Sequence, residues 1–159
     1  MKQFVVLYFF FLGVLFVLFY APIFTFSTIL NDGQSQLTLF LLDILLKPEQ
    51  LKGIDIWINP HYKIIIGKAC NGMIPILFLF ASILAYPSSV LHKILWMLIG
   101  YFLFSLVNVI RILFVVYVTE TGNGHEDFYW SHDLLGNMLL MMTGLSLFVL
   151  FIRTTSKNF

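Results

Sequence analysis

The stretch 94-ILWMLIGYFLFSLVNVIRILFVVYVT-119 decides the fold class. It holds one charge, Arg111, in a run long enough to cross a bilayer, which takes about 20 apolar residues in a helix. A charge at that depth costs about 2.5–3.5 kcal/mol or more unless it is paired, hydrated or used, so Arg111 marks a functional-site candidate. Outward from this stretch, three further runs pass the same length test: Phe4–Leu30, Gly72–Leu91 and Leu134–Ile152. Leu37–Leu46 is also apolar but short, and it contains Asp43, which suits an interfacial or re-entrant segment. Met1-Lys-Gln3 followed by an apolar stretch is similar to a signal peptide. The stretch is too long for that, with no small-x-small cleavage site after it, and is expected to be a retained first helix.

Composition agrees. The 159 residues are 60% hydrophobic and 11% charged, whereas soluble domains carry about 25% charged residues. The expectation is an all-α integral membrane protein: one domain, residues 1–159, with spans at about 4–30, 72–91, 94–119 and 134–152. A net charge of +1 without a basic cluster argues against a nucleic-acid partner. The lone Cys70 excludes an internal disulfide and a CxxC redox pair.

Orientation follows from the loops. Lys2, Lys93, Arg153 and Lys157 crowd the helix ends on one side, without acidic company. Lys47, Lys52, Lys63 and Lys68 are spread through one long loop among acidic residues on the other. Positive residues at helix ends favour the inner side, so both termini are expected inside a cell (inner) membrane. In the outer loop of about 31–69, Ile54-Asp-Ile-Trp-Ile-Asn59 alternates, Asn59-Pro60-His61 signals a turn, and Tyr62-Lys-Ile-Ile-Ile66 is β-branched. This predicts a small β-hairpin on the outer face, packed on helix ends or capping a cavity. Tyr86-Pro-Ser-Ser89 reads as a tight inner turn.

Three chemistry-bearing residues fall at the outer face on different segments. Cys70 precedes a helix start in Ala69-Cys-Asn-Gly-Met73, with Asn71 of N-cap type and Pro75 in the first turn. Free N–H groups at a helix start depress a thiol pKa and can hold an oxyanion. Against this stands the bland reading, a small buried hydrophobe. Arg111 lies eight residues before Thr119, about 12 Å below the outer end of its helix, with Asn108 one turn earlier on the same face. Its bland reading is a snorkelling side chain on a lipid phosphate, or a structural pair with Asp133. His132 opens the last helix in Trp130-Ser-His-Asp-Leu-Leu-Gly136 and has the acid/base character a cysteine needs near neutral pH. His125, in a Gly-rich acidic stretch, is its rival. The combination of His125-Glu-Asp127 with His132-Asp133 matches no strong metal-ligand motif, so neither metal nor cofactor is expected. Together the three supply the parts of acyl transfer: a nucleophile, an acid/base and a cation for the oxyanion or the substrate carbonyl.

The ordered trio resembles the exosortase/archaeosortase family of membrane transpeptidases, in a short form of about four spans. The similar elements are Ala69-Cys70-x-Gly72 after an outer hairpin, Asn108-x-x-Arg111 in the following helix, and His132-Asp133-x-x-Gly136 opening the next; they cover Ile54–Ile152. The resemblance implies Cys70 as nucleophile, Arg111 as electrostatic partner and His132 as acid/base, supported by Asn71, Asn108 and Asp133. It implies exported substrates with a C-terminal motif, membrane helix and basic tail, cut at the outer face and passed to a surface acceptor. Membrane lipid is the remaining partner, and an oligomer is compatible with the short form. Two other classes compete: a non-enzymatic assembly or lipid-binding protein with Arg111 on a lipid phosphate, and a simple intramembrane protease releasing product to water.

Overall fold

The computed structural model describes residues 2–21, 25–67, 70, 72–122 and 130–155, apart from the side chains of Thr25, Phe26, Leu30 and Asp133. The elements run α1 (Lys2–Tyr20), α2 (Thr25–Leu45), β1 (Leu51–Lys52), β2 (Asp55–Asn59), β3 (Tyr62–Ile65), α3 (Met73–Ala85), α4 (Val90–Thr121), a π-helical segment (Trp130–Gly136) and α5 (Asn137–Thr155). Among the described residues, three stretches are long and apolar enough to cross a membrane: Lys2–Tyr20, Val90–Thr121 and Trp130–Thr155, with α3 a shorter apolar helix. The architecture is that of an all-α, multi-pass membrane protein carrying a small sheet.

Several expected boundaries are corrected. The first span does not run from 4 to 30: α1 ends at Tyr20, ahead of Ala21-Pro22, and a new helix begins at Thr25. A proline lacks an N–H and pushes its predecessor out of the α region, which is where α1 stops. The loop expected at 31–69 is helical to Leu45, so Leu37–Leu45 lies within a 21-residue helix, Thr25–Leu45. The polar residues of α2 are what hold it. Ser27, Asn31, Gln34 and Thr38 repeat at helical spacing and are all buried. Asn31 Nδ2 donates to the Phe19 carbonyl at 2.6 Å, and Gln34 Nε2 donates to Ser105 Oγ on α4 at 3.1 Å.

The second expected span, 72–91, is also shorter. Its helix stops at Ala85 because Tyr86, held extended (φ −79°, ψ 137°), precedes Pro87. Ser89 then caps α4, its side chain accepting from the His92 N–H. The third and fourth spans outrun the expected 94–119 and 134–152: α4 reaches Val90–Thr121 and the last helix runs from Trp130 to Thr155.

The hairpin forms as expected and gains a third strand, in the order β1-β2-β3. Its Ile56 and Ile64, with Ile66 just beyond β3, pack with Leu42 of α2 and Val109, Ile112, Val115 and Val116 of α4. A second cluster joins α3, the N-terminal half of α4 and α5 through Ile76, Ile83, Phe104, Leu140 and Phe151. Phe4 of α1 stacks on Phe148 and meets Tyr86 edge-on, and Thr154 bonds to His92. The start of α1, the 86–89 turn and the end of α5 therefore share one end of the bundle, away from the sheet.

Candidate functional site

Cys70 sits in the turn between β3 and α3, its N–H donating to the Gly67 carbonyl at 2.9 Å. The helix behind it is capped by Gly72, not by Asn71, which lies outside the described residues. Gly72 has φ +76°, and a Cβ there would stand 2.9 Å from Asn108 Cγ. Only glycine meets both demands. That close approach lets Asn108 Nδ2 donate to the Cys70 carbonyl at 2.9 Å, fixing Cys70 to α4.

Arg111 is 3% exposed, buried one turn along α4 from the fully buried Asn108. Its Nη1 donates to Asn108 Oδ1 at 3.4 Å. Its Nη2 reaches His132 Nε2 at 3.1 Å, the His132 carbonyl at 3.4 Å and Asn137 Oδ1 at 3.3 Å. A π-helical turn closes over five residues instead of four, so positions five apart share a face. Trp130–Gly136 is such a segment, and His132 within it and Asn137, the first residue of α5 directly after it, both converge on Arg111. Gly136 lies against the same guanidinium: a Cβ there would come 2.5 Å from Arg111 Nε and 3.0 Å from the Ser131 carbonyl.

The third contact closes the set. Cys70 Sγ lies 3.6 Å from His132 Nε2, the atom that Arg111 also approaches. Ile64, Ile66, Ile112 and Val115 wall these three side chains into a cleft with room for about one water molecule. Arginine only donates. An unprotonated Nε2 can accept from either the guanidinium or the thiol, and a protonated one faces the sulfur as a donor, so the ring's tautomer and charge decide which contact is a hydrogen bond. A proton moved from the thiol to Nε2 would make that nitrogen a donor and leave the guanidinium beside a thiolate. The Cys70 pKa lies below the ordinary thiol value. The His132 hydrogen bond is the largest cause, opposed by partial burial and helped by the charges of His132 and Arg111.

Of the residues expected from sequence, Cys70, Asn108, Arg111 and His132 come together. Asn71, His125 and the side chain of Asp133 lie outside the described residues, so the rivalry of the two histidines and the Arg111–Asp133 pair do too. Asn137 was missed; its signal is a polar residue opening an otherwise apolar helix, five places after His132. Asn137 also stands at one end of a groove of about 460 Å³ between α3 and α5, lined by Ile74, Phe78, Phe104, Met141 and Phe148 among others.

No curated protein and no solved structure matches this chain. The family profile described as transmembrane exosortase matches residues 2–151, nearly the whole sequence. A buried Arg111 between Asn108, His132 and Asn137, with the only cysteine at hand, is thus the polar centre of a chain that belongs to the transmembrane exosortase family.

Proposed function

We propose that the chain is a membrane-embedded cysteine transpeptidase or protease that cleaves C-terminal sorting signals of exported proteins at the outer face of the cell membrane. The observation that carries this reading is the convergence of Cys70 Sγ and Arg111 Nη2 on one nitrogen of His132. In the reaction, His132 takes the Cys70 proton and the thiolate attacks the scissile carbonyl carbon. Arg111 stabilises the oxyanion. The tetrahedral intermediate collapses, the C–N bond breaks, and His132 returns the proton to the leaving amine. The resulting thioester passes its acyl group to an acceptor nucleophile, giving a conjugate, or to water, giving a free acid. Asn108 and Asn137 hold the guanidinium while this happens. The apolar groove below Asn137 fits a substrate whose cleavage motif is followed by a membrane helix.

The test is processing of an exported reporter ending in a motif, a membrane helix and a basic tail. Cys70→Ala and His132→Ala are expected to abolish the precursor-to-product shift while the protein inserts. His125→Ala is expected to cost far less, and mainly in apparent affinity. The reading of a non-enzymatic lipid-binding protein requires Cys70→Ala to be tolerated, and mass analysis of the product C-terminus separates transfer from hydrolysis.

A further inference from the structure

We propose that the outer edge of β3 is the docking strand for the substrate's extended peptide, which adds to the sheet antiparallel or parallel to Tyr62–Ile65 and is led to Cys70. The proposal rests on the cysteine-peptidase reading and adds to it where the peptide lies.

The register fixes which backbone groups face outward. Ile56 pairs with Ile64, and the Ile66 N–H donates to the Ile54 carbonyl at 2.8 Å, two residues along in the same register. In an antiparallel ladder the bonded pairs alternate with unbonded ones. Ile64 and Ile66 therefore turn their N–H and C=O groups toward β2, and Lys63 and Ile65 turn theirs away. The other side of β2 bears out the parity, because the Trp57 N–H goes to Gln50 on the β1 side at 2.9 Å. The Gly67 N–H takes the Ile65 carbonyl at 3.1 Å. This leaves Lys63 N–H, Lys63 C=O and Ile65 N–H directed outward, and among the described residues no strand pairs with them.

Unpaired edges invite strand addition, and proteins commonly block them with a projecting lysine. Lys63 does not project past this edge. Its Nζ folds back across the sheet to Asp55 Oδ2 at 2.6 Å and lies 5.6 Å from the centre of the Trp57 ring. Meanwhile the alternate residues of the strand, Ile64 and Ile66, are buried and wall the cleft of Cys70, Arg111 and His132. Among the described residues the edge is thus packed from behind and uncovered in front, and Cys70 follows closely, its N–H bonded back to the Gly67 carbonyl at 2.9 Å. Peptide recognition by strand addition draws affinity from main-chain bonds and so tolerates varied side chains.

The test uses covalent labelling of Cys70 in the full chain in nanodiscs. An acetylated alanyl-valyl-alanyl chloromethyl ketone, in which the thiolate displaces chloride, is compared with the same compound N-methylated at its amides and with iodoacetamide. The expected result is saturable labelling by the peptide ketone, at least about 10-fold faster than by the N-methylated form. Ile65→Pro, which removes an outward N–H at an unbonded edge position, should slow the peptide ketone about 10-fold while Ile65→Ala does not, and neither should change iodoacetamide labelling by more than about twofold. Equal rates for the methylated and unmethylated peptides, or an Ile65→Pro that labels like Ile65→Ala, overturn the docking strand. A Cys70 that iodoacetamide labels no faster than free cysteine at neutral pH overturns the parent reading instead.

Discussion

Toward its N-terminus, α4 meets α3 and α5 through Phe104, Ile83, Leu140 and Phe151, with Tyr86 and Trp96 edge-on to Phe151. Toward its C-terminus, the same helix meets α2 and the sheet through Val109, Ile112, Val115 and Val116. The rims differ more than the centres. The sheet end carries ion pairs, Lys47–Glu120 and Lys63–Asp55, whereas the other end is fitted ring against ring. Lipid tails are as apolar as leucine, so helices within them associate by close fit instead of by exclusion from water. The small residues show that fit: a Cβ on Gly100 would come 2.7 Å from Leu79 Cδ2, and one on Gly144 3.1 Å from Phe104 Cζ. The candidate site lies at the joint between the two regions, where polar groups from α4, the Cys70 turn and the π-helical segment can be buried yet remain close to the sheet end. The comparison predicts that perturbing the joint alters chemistry and that perturbing either flank alters stability.

The largest effect should come from Arg111→Lys. Lysine keeps the charge but loses the planar fork that now serves Asn108, His132 and Asn137 together. Reporter processing should fall by roughly 10²–10³, the cost of losing one oxyanion donor, with insertion and folding retained. Near-normal processing would reduce Arg111 to a diffuse electrostatic role, and loss of folding would make the joint structural like its flanks.

Next in size is a pair of glycine changes. Gly136→Ala forces a methyl against Arg111 Nε and the Ser131 backbone, so the guanidinium must shift and processing should fall about 10-fold or more. Gly100→Ala meets only the end of a leucine side chain, which can turn aside. It should cost about 1–3 kcal/mol of stability, read as a lower melting temperature in detergent, with specific activity unchanged. Equal activity losses in the two variants would erase the distinction between joint and flank.

The same contrast explains what the sequence disclosed. Apolar runs and a buried charge announce themselves by length and cost, so the apolar helices, though not their ends, and Arg111 with its partner Asn108 were legible. The alternation of Ile54–Asn59 gave the hairpin, and the order of Cys70, Arg111 and His132 gave the family. The helix α2 was not legible, because Asn31-Asp-Gly-Gln-Ser-Gln36 reads as a loop unless Ser105 and the Phe19 carbonyl are known to await Gln34 and Asn31. Nor was Asn137, since five-residue spacing carries meaning only on a π-helical turn, which composition does not reveal.

A pH profile sharpens the joint further. The Cys70 thiol titrates below its ordinary value chiefly through His132, so alkylation should reach its plateau at lower pH than for a free cysteine. The sign is fixed by the thiolate being the reactive form: a lowered pKa raises reactivity at neutral pH, and His132→Ala should move the profile back upward. Each unit of return slows labelling about tenfold on the rising limb. A profile unmoved by His132→Ala would assign the lowering to some other group and detach the histidine from the thiol.

The smallest effect belongs to the sheet-end rim. Lys47 is 73% exposed on its side chain, so its 2.9 Å contact with Glu120 is screened by water and salt. Lys47→Ala should cost about 0.2–1 kcal/mol, vanishing in high salt. Glu120 has a second duty, because its Oε1 accepts from Gln50 Nε2 at 2.6 Å, and Gln50 is only 8% exposed. Removing that acceptor leaves a buried amide wanting a partner, which costs about 1–3 kcal/mol and is insensitive to salt. Glu120→Ala should therefore lower the melting temperature more than Lys47→Ala, and the gap should persist in high salt. Both should process substrate normally, since neither side chain approaches Cys70, Arg111 or His132. Equal, salt-erased losses would make this rim ordinary surface electrostatics.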